Sequence, residues 1–198
     1  MLPVKRIVFV CLAFMPPIIW ALVAENLGAP SDLKSGSKPF SEKLVINRIE
    51  FNVSSQNASS GNLVEIVPAG FKKNVEVIKT PVNGLVTGAE AADLNNDGYP
   101  EVYVYINAAD KSAHGSILAF ASIKNLSLSP IYLPPLSEIG NDAVSYKGRD
   151  EFSVVENRLV RRFPVASRNG VQHYRQIQYK LVAGEAGWML KVDRVESF

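Results

Sequence analysis

Apolar side chains recur at every second position along most of this chain, and no stretch repeats them at helical spacing. Ile49, Phe51 and Val53 share one side of a segment; Val102, Val104 and Ile106 do so in another, and Trp188, Leu190 and Val192 in a third. A period of two buries one face of an extended strand and leaves no helical stripe. The expected fold is therefore all-β, an antiparallel β-sandwich of about ten strands separated by Gly, Asn, Pro and Ser turns. Beyond those three segments, strands are expected at 63–67, 75–78, 116–123, 128–133, 152–155, 159–163 and 172–182.

Two connections read as hairpins, a short one at Glu156-Asn157-Arg158 and a five-residue one, Ala183-Gly184-Glu185-Ala186-Gly187. In the second, Ile177, Tyr179 and Leu181 on one arm face the core together with Trp188, Leu190 and Val192 on the other. The stretch 116–123 is apolar on both faces, the mark of a central strand.

Lys5 and Arg6 precede an uncharged run from Ile7 to Ala24, as in the n-region and h-region of a secretory signal. Residues 1–24 read as a signal peptide or N-terminal anchor, 25–42 as a Gly-, Pro- and Ser-bearing flexible linker, and 43–198 as the folded domain. The apolar run only reaches the lower edge of the roughly 17–25 residues that span a bilayer, and Pro16-Pro17 would interrupt a spanning helix. Cleavage is expected, with no membrane contact afterwards. The single cysteine, Cys11, lies in the leader, so the exported domain must hold together by burial without disulfides. The leader also carries two of the 21 basic residues and none of the 19 acidic ones, leaving a mature chain without net charge. That balance argues against nucleic acid, which rewards clustered Lys and Arg.

Asp93, Asn95 and Asp97 alternate before Gly98, with Glu101 ninth, like the opening of a calcium loop, where hard oxygens gather around a sharp glycine turn. Val104 stands where an EF-hand places its bidentate acid, so an ion here would need a shorter loop closed by Glu101. The same residues also suit a turn in which Asp and Asn side chains bond their own backbone.

No catalytic arrangement is marked. His114 and His173 are the only histidines; G-x-S-x-G, H-E-x-x-H and Cys/His metal clusters are absent from the sequence. His173 reads as a half-buried strand-end residue. Tyr103 and Tyr105 suit either a sugar-stacking platform or packing beneath a neighbouring loop. Asn52, Asn57 and Asn125 each open a glycosylation sequon.

The nine residues from Asn107 to Gly115 exceed the two to five usual in a hairpin. Small residues let such a loop approach another surface, while Lys111, Ser112, His114 and backbone amides offer donors suited to an acidic cleft. This requires a loop that stands clear of its own domain.

Taken together, Thr87 to Ile106, Gly115 to Phe120, Ile131 to Leu136, Asp150 to Asn157, Leu159 to Pro164 and Tyr179 to Trp188 resemble the bacterial periplasmic inhibitors of i-type (invertebrate) lysozyme. The resemblance covers most of 43–198. It implies a non-enzymatic periplasmic β-sandwich, a homodimer, that protects the cell wall by inserting an exposed loop into the lysozyme cleft. A serine and a tyrosine make the decisive contacts in that family. The corresponding loop here is 107–116, which implies Lys111, Ser112, His114, Gly115 and Ser116 as the lysozyme-binding residues. Tyrosine is missing from it: His114 stands in the aromatic place and Ser112 near the serine.

Two other functions fit the sequence. One is a calcium-stabilised envelope module that recognises glycan or protein, with Asp93, Asn95, Asp97 and Glu101 as ligands. The other, a wall-active hydrolase, would need a carboxylate pair that the sequence does not mark.

Overall fold

The structure, a computed structural model, describes residues 37–110, 113–143, 145–165, 172–185 and 187–198. Among them the chain forms two packed sheets. The four-stranded sheet takes β1 (Phe40–Ile46), β2 (Ile49–Ser55), β3 (Asn62–Ala69) and β4 (Ile78–Val82) in sequence order. The eight-stranded sheet contains β5 (Leu85–Ala92), β6 (Glu101–Asn107), β7 (Gly115–Ile123), β8 (Ser127–Tyr132), β9 (Glu151–Val155), β10 (Arg158–Val165), β11 (His173–Ala183) and β12 (Trp188–Ser197). Its order is β5-β6-β7-β8-β12-β11-β10-β9.

The all-β sandwich is as expected, with differences in detail. Among the described residues twelve strands form where about ten were expected. β1 begins at Phe40, so the end of the 25–42 stretch is already paired, Phe40 opposite Ser55. β4 lies beyond the expected 75–78, at an edge where Pro81 costs no central ladder bond. β5 carries Gly88 and three alanines instead of bulky residues, because it packs close: a Cβ on Gly88 would sit 3.2 Å from the Tyr105 ring. The pairing is antiparallel except where β12 meets β8 in parallel, Trp188 opposite Ile131 and Met189 opposite Tyr132.

β6 explains the layering. Its Val102, Val104 and Ile106 join Phe51, Val53, Val64 and Ile66 in a core between the two sheets. Its other face sends Tyr103 and Tyr105 into a second core with Leu159, Phe163, Ile177, Tyr179 and Leu190. β7 is apolar on both faces for the same reason, with Leu118 and Phe120 against the first core, Ala119 and Ala121 in the second. Tyr103 and Tyr105 are thus buried, and Tyr105 stacks on Phe152 at 5.7 Å; they offer no sugar platform.

A second core on the inner side of one sheet requires that sheet to curl back over itself. Its end strands meet where Glu90 of β5 accepts hydrogen bonds at the same carboxylate oxygen from the Val154 amide of β9, at 2.6 Å, and from the Tyr105 hydroxyl. Burial, and then the nearby Glu90 charge, push the Tyr105 hydroxyl pKa up, so it remains a donor.

Asn57 ties the two sheets together. Its Nδ2 donates to the Val86 carbonyl at 3.0 Å, and its Oδ1 accepts from the Val86 amide at 2.9 Å. One side chain thereby serves both backbone groups of a residue on the edge strand β5. Asn62 reinforces the junction by donating to the Gly84 carbonyl at 2.8 Å.

Candidate functional site

The loop between β6 and β7 is tighter than its sequence length implies. Asn107 pairs with Gly115, the Ala108 amide bonds the His114 carbonyl at 2.9 Å, and the Ala113 amide bonds the Asp110 carbonyl at 3.2 Å. Among the described residues, Ala109, Asp110 and Ala113 lie past the Ala108–His114 closure. Ala109 and Asp110 are exposed. Lys111 and Ser112, expected as contacts, lie outside the described residues.

At its entry, Asn107 abuts Gly84, where a Cβ would meet the Asn107 carbonyl oxygen at 2.4 Å. The exit is held more firmly. The Gly115 amide donates to Asp150 Oδ2 at 2.6 Å, and the other oxygen of Asp150 receives Arg161 Nε at 2.6 Å. The Tyr146 hydroxyl also bonds Asp150 and accepts from Arg161 at 3.1 Å. Arg161 sits over the rings of Tyr146, Phe152 and Phe163 at 5.2, 5.4 and 5.9 Å. Burial opposes the guanidinium charge, but Asp150 outweighs it and holds the Arg161 pKa above its ordinary value. Aromatic faces and a fully buried carboxylate thus supply what an interior arginine needs.

Glycine at 115 is required by this approach. A Cβ there would lie 2.4 Å from the Asp150 Cβ and 2.7 Å from Phe152. One step earlier, the His114 ring stacks on Tyr146 at 5.2 Å and 23° while remaining exposed, and the Arg149 amide bonds the Ala113 carbonyl at 2.9 Å. The loop therefore does not stand clear of its domain at the exit stem: 113–115 are fastened to 146–150. Ser116 is exposed but belongs to β7, where alternation puts it with Leu118 on the face away from Asp150. His114 and Gly115 are thus joined to one anchor, and Ser116 is not.

Asp150 and Arg161 lie in segments that carry the resemblance, but neither they nor Tyr146 were expected to hold the loop. A signal existed in the alternation Leu159, Arg161, Phe163, which puts an arginine on a core face and demands a buried acid partner.

At the opposite end of β6, Asp93, Asp97 and Glu101 bring one carboxylate oxygen each within 4.8 Å of the others. Asp93 accepts from the amides of Asp97 and Gly98 at 3.0 and 2.8 Å, and Asn95 Oδ1 from the Asp97 amide at 3.2 Å. The turn thus bonds its own backbone while keeping carboxylates converged. Glu101 is 1 % exposed and accepts from the Leu94 amide at 2.8 Å. Burial, followed by the charges of Asp93 and Asp97, pushes its pKa up to about 8. Hard oxygens converging on a buried acid are a donor set that would fit a calcium ion, which Asp93, Asp97 and Glu101 would hold. Asn157 of the β9–β10 turn also reaches this loop, donating to Asn96 at 2.8 Å.

His173 opens β11, as expected of a strand-end residue, but it is exposed where half-burial was expected. No protein-family description matches this chain, and no curated protein or solved structure matches it either.

Proposed function

We propose that this protein is a periplasmic inhibitor of i-type lysozyme that seats the 107–116 loop in the enzyme's active-site cleft. The reading starts from the sequence resemblance, and one observation supports it: the exit stem is fastened by Asp150, Arg161 and Tyr146, unlike the free-standing loop expected, yet His114 and Asp110 stay exposed and open to a partner. A loop fixed before binding loses less conformational entropy when it docks, which favours a protein that works by plugging a groove. A lysozyme cleft holds two carboxyl groups, and donors from His114, Lys111, Ser112 and the loop amides match them. The protein itself performs no chemistry in this reading.

Inhibition assays against i-, c- and g-type lysozymes test it. Selective loss of i-type activity on adding the protein is expected; an i-type enzyme that keeps full speed at micromolar inhibitor overturns it.

The convergence of Asp93, Asp97 and Glu101 favours a second reading, a calcium-stabilised envelope module that recognises glycan or protein. A rise in melting temperature on calcium titration, with no effect on any lysozyme, would select it.

A further inference from the structure

The loop is fastened to 145–149, and that segment has features that its anchoring role does not use. Lys147 and Arg149 are both exposed, and neither forms an ion pair with any described residue. They flank the attachment points: Tyr146 carries the His114 ring at 5.2 Å, and the Arg149 amide holds the Ala113 carbonyl at 2.9 Å. The segment thus touches the loop stem through the Tyr146 ring and the Arg149 amide.

Holding the stem needs only the Tyr146 ring and hydroxyl, the Arg149 amide and the Asp150 carboxylate. It does not need cationic side chains at 147 and 149. Across the loop and this segment the sequence places Lys111, Lys147 and Arg149 against one acid, Asp110, with His114 between them. In a mature chain of balanced charge, such a local excess fits a negatively charged counter-surface. Glu151 follows in β9, where alternation points it away from the core-facing Phe152.

We infer that the docking surface has two segments, the described loop residues around exposed Asp110 and His114, and 145–149, and that Lys147 and Arg149 contact the acidic rim of the partner's cleft. Tyr146 is a positioning residue: its ring supports His114 from the second segment and sets the aromatic surface that the loop alone lacks. This rests on the proposed inhibition of a lysozyme and specifies how the partner is met. The partner is a protein whose cleft is acidic at its edge as well as at its centre.

The test is association with an i-type lysozyme at several salt concentrations, comparing the parent protein with the double variant Lys147→Glu/Arg149→Glu, with Lys147→Ala/Arg149→Ala and with His114→Ala. Charge reversal should slow association at least tenfold at low salt and flatten or invert its salt dependence. The alanine pair should fall between reversal and parent, and melting temperatures should stay near the parent's because both side chains are exposed. A charge-reversed protein that associates and inhibits like the parent, while His114→Ala is weakened, overturns the two-segment surface and leaves the inhibitor reading standing. A parent protein that inhibits no i-type lysozyme removes both.

Discussion

Asp150 and Arg161 meet at 2.6 Å with side chains 0 % and 6 % exposed, and the remaining Asp150 oxygen reaches out of that buried pair to hold the amide of Gly115. The interior ion pair and the exposed loop are thus one construction. An isolated buried pair is weak evidence for stability, but removing one partner strands the other.

Arg161→Met should therefore cost about 3–5 kcal/mol, because Asp150 is left charged and uncompensated in the core. Urea unfolding measures this. Changing Asp150 to Leu as well should recover part of the loss, and a double-mutant cycle would report strong coupling.

Gly115→Ala puts a methyl group within 2.4 Å of Asp150. Overpacking of this kind costs about 1–3 kcal/mol, and the strain falls on the loop anchor. Lower thermal stability is expected and, on the proposed inhibitor reading, a larger drop in affinity for an i-type lysozyme than His114→Ala gives. A fully stable variant with parental affinity would show that the anchor is slack.

Glu90→Ala deprives the Val154 amide and the Tyr105 hydroxyl of their shared acceptor at the seam between β5 and β9. A buried donor left without a partner costs about 1–3 kcal/mol. Hydrogen exchange should speed up most at Val154 and its neighbours in β9, and little in β2 or β3.

Glu101 gives the protein a predictable pH response in chelator. Its folded pKa of about 8 lies above the ordinary 4.5, so the folded state keeps a proton that the unfolded chain has released. This contribution is complete below 4.5 and is lost as pH rises toward 8, by at most about 1.4 kcal/mol per unit. Glu101→Gln should flatten that decline in thermal melts and abolish any stabilisation by calcium. A decline unchanged by the substitution would place its origin elsewhere.

The strands with strong chemical signatures could be read directly. Val102, Val104 and Ile106 predicted a strand and the doubly apolar 116–123 stretch a central one; β7 does occupy the sheet interior, and so does β6, which is buried on both faces. The Glu156-Asn157 turn also formed, both residues at positive φ, the geometry that a two-residue hairpin favours. β5 was not legible because its small residues serve close packing instead of bulk. Of the candidate site, the position of the loop was legible and its attachment was not. The Gly115–Asp150 contact joins residues 35 positions apart, and no local pattern encodes such a pairing. The out-of-place Arg161 among Leu159 and Phe163 was the one trace of it.

Asn57 shows how sequence signals of different kinds can compete for one atom. The nitrogen that Asn57-Ala58-Ser59 would offer to an oligosaccharide is already committed to Val86, and the residue is only 7 % exposed. A sugar tree attached there during eukaryotic secretion would keep the sandwich halves from closing. Yeast-made material should then separate into a light, native fraction and a heavy one that never matures, and Asn57→Gln would be no cure, since the longer amide cannot reproduce the same fit.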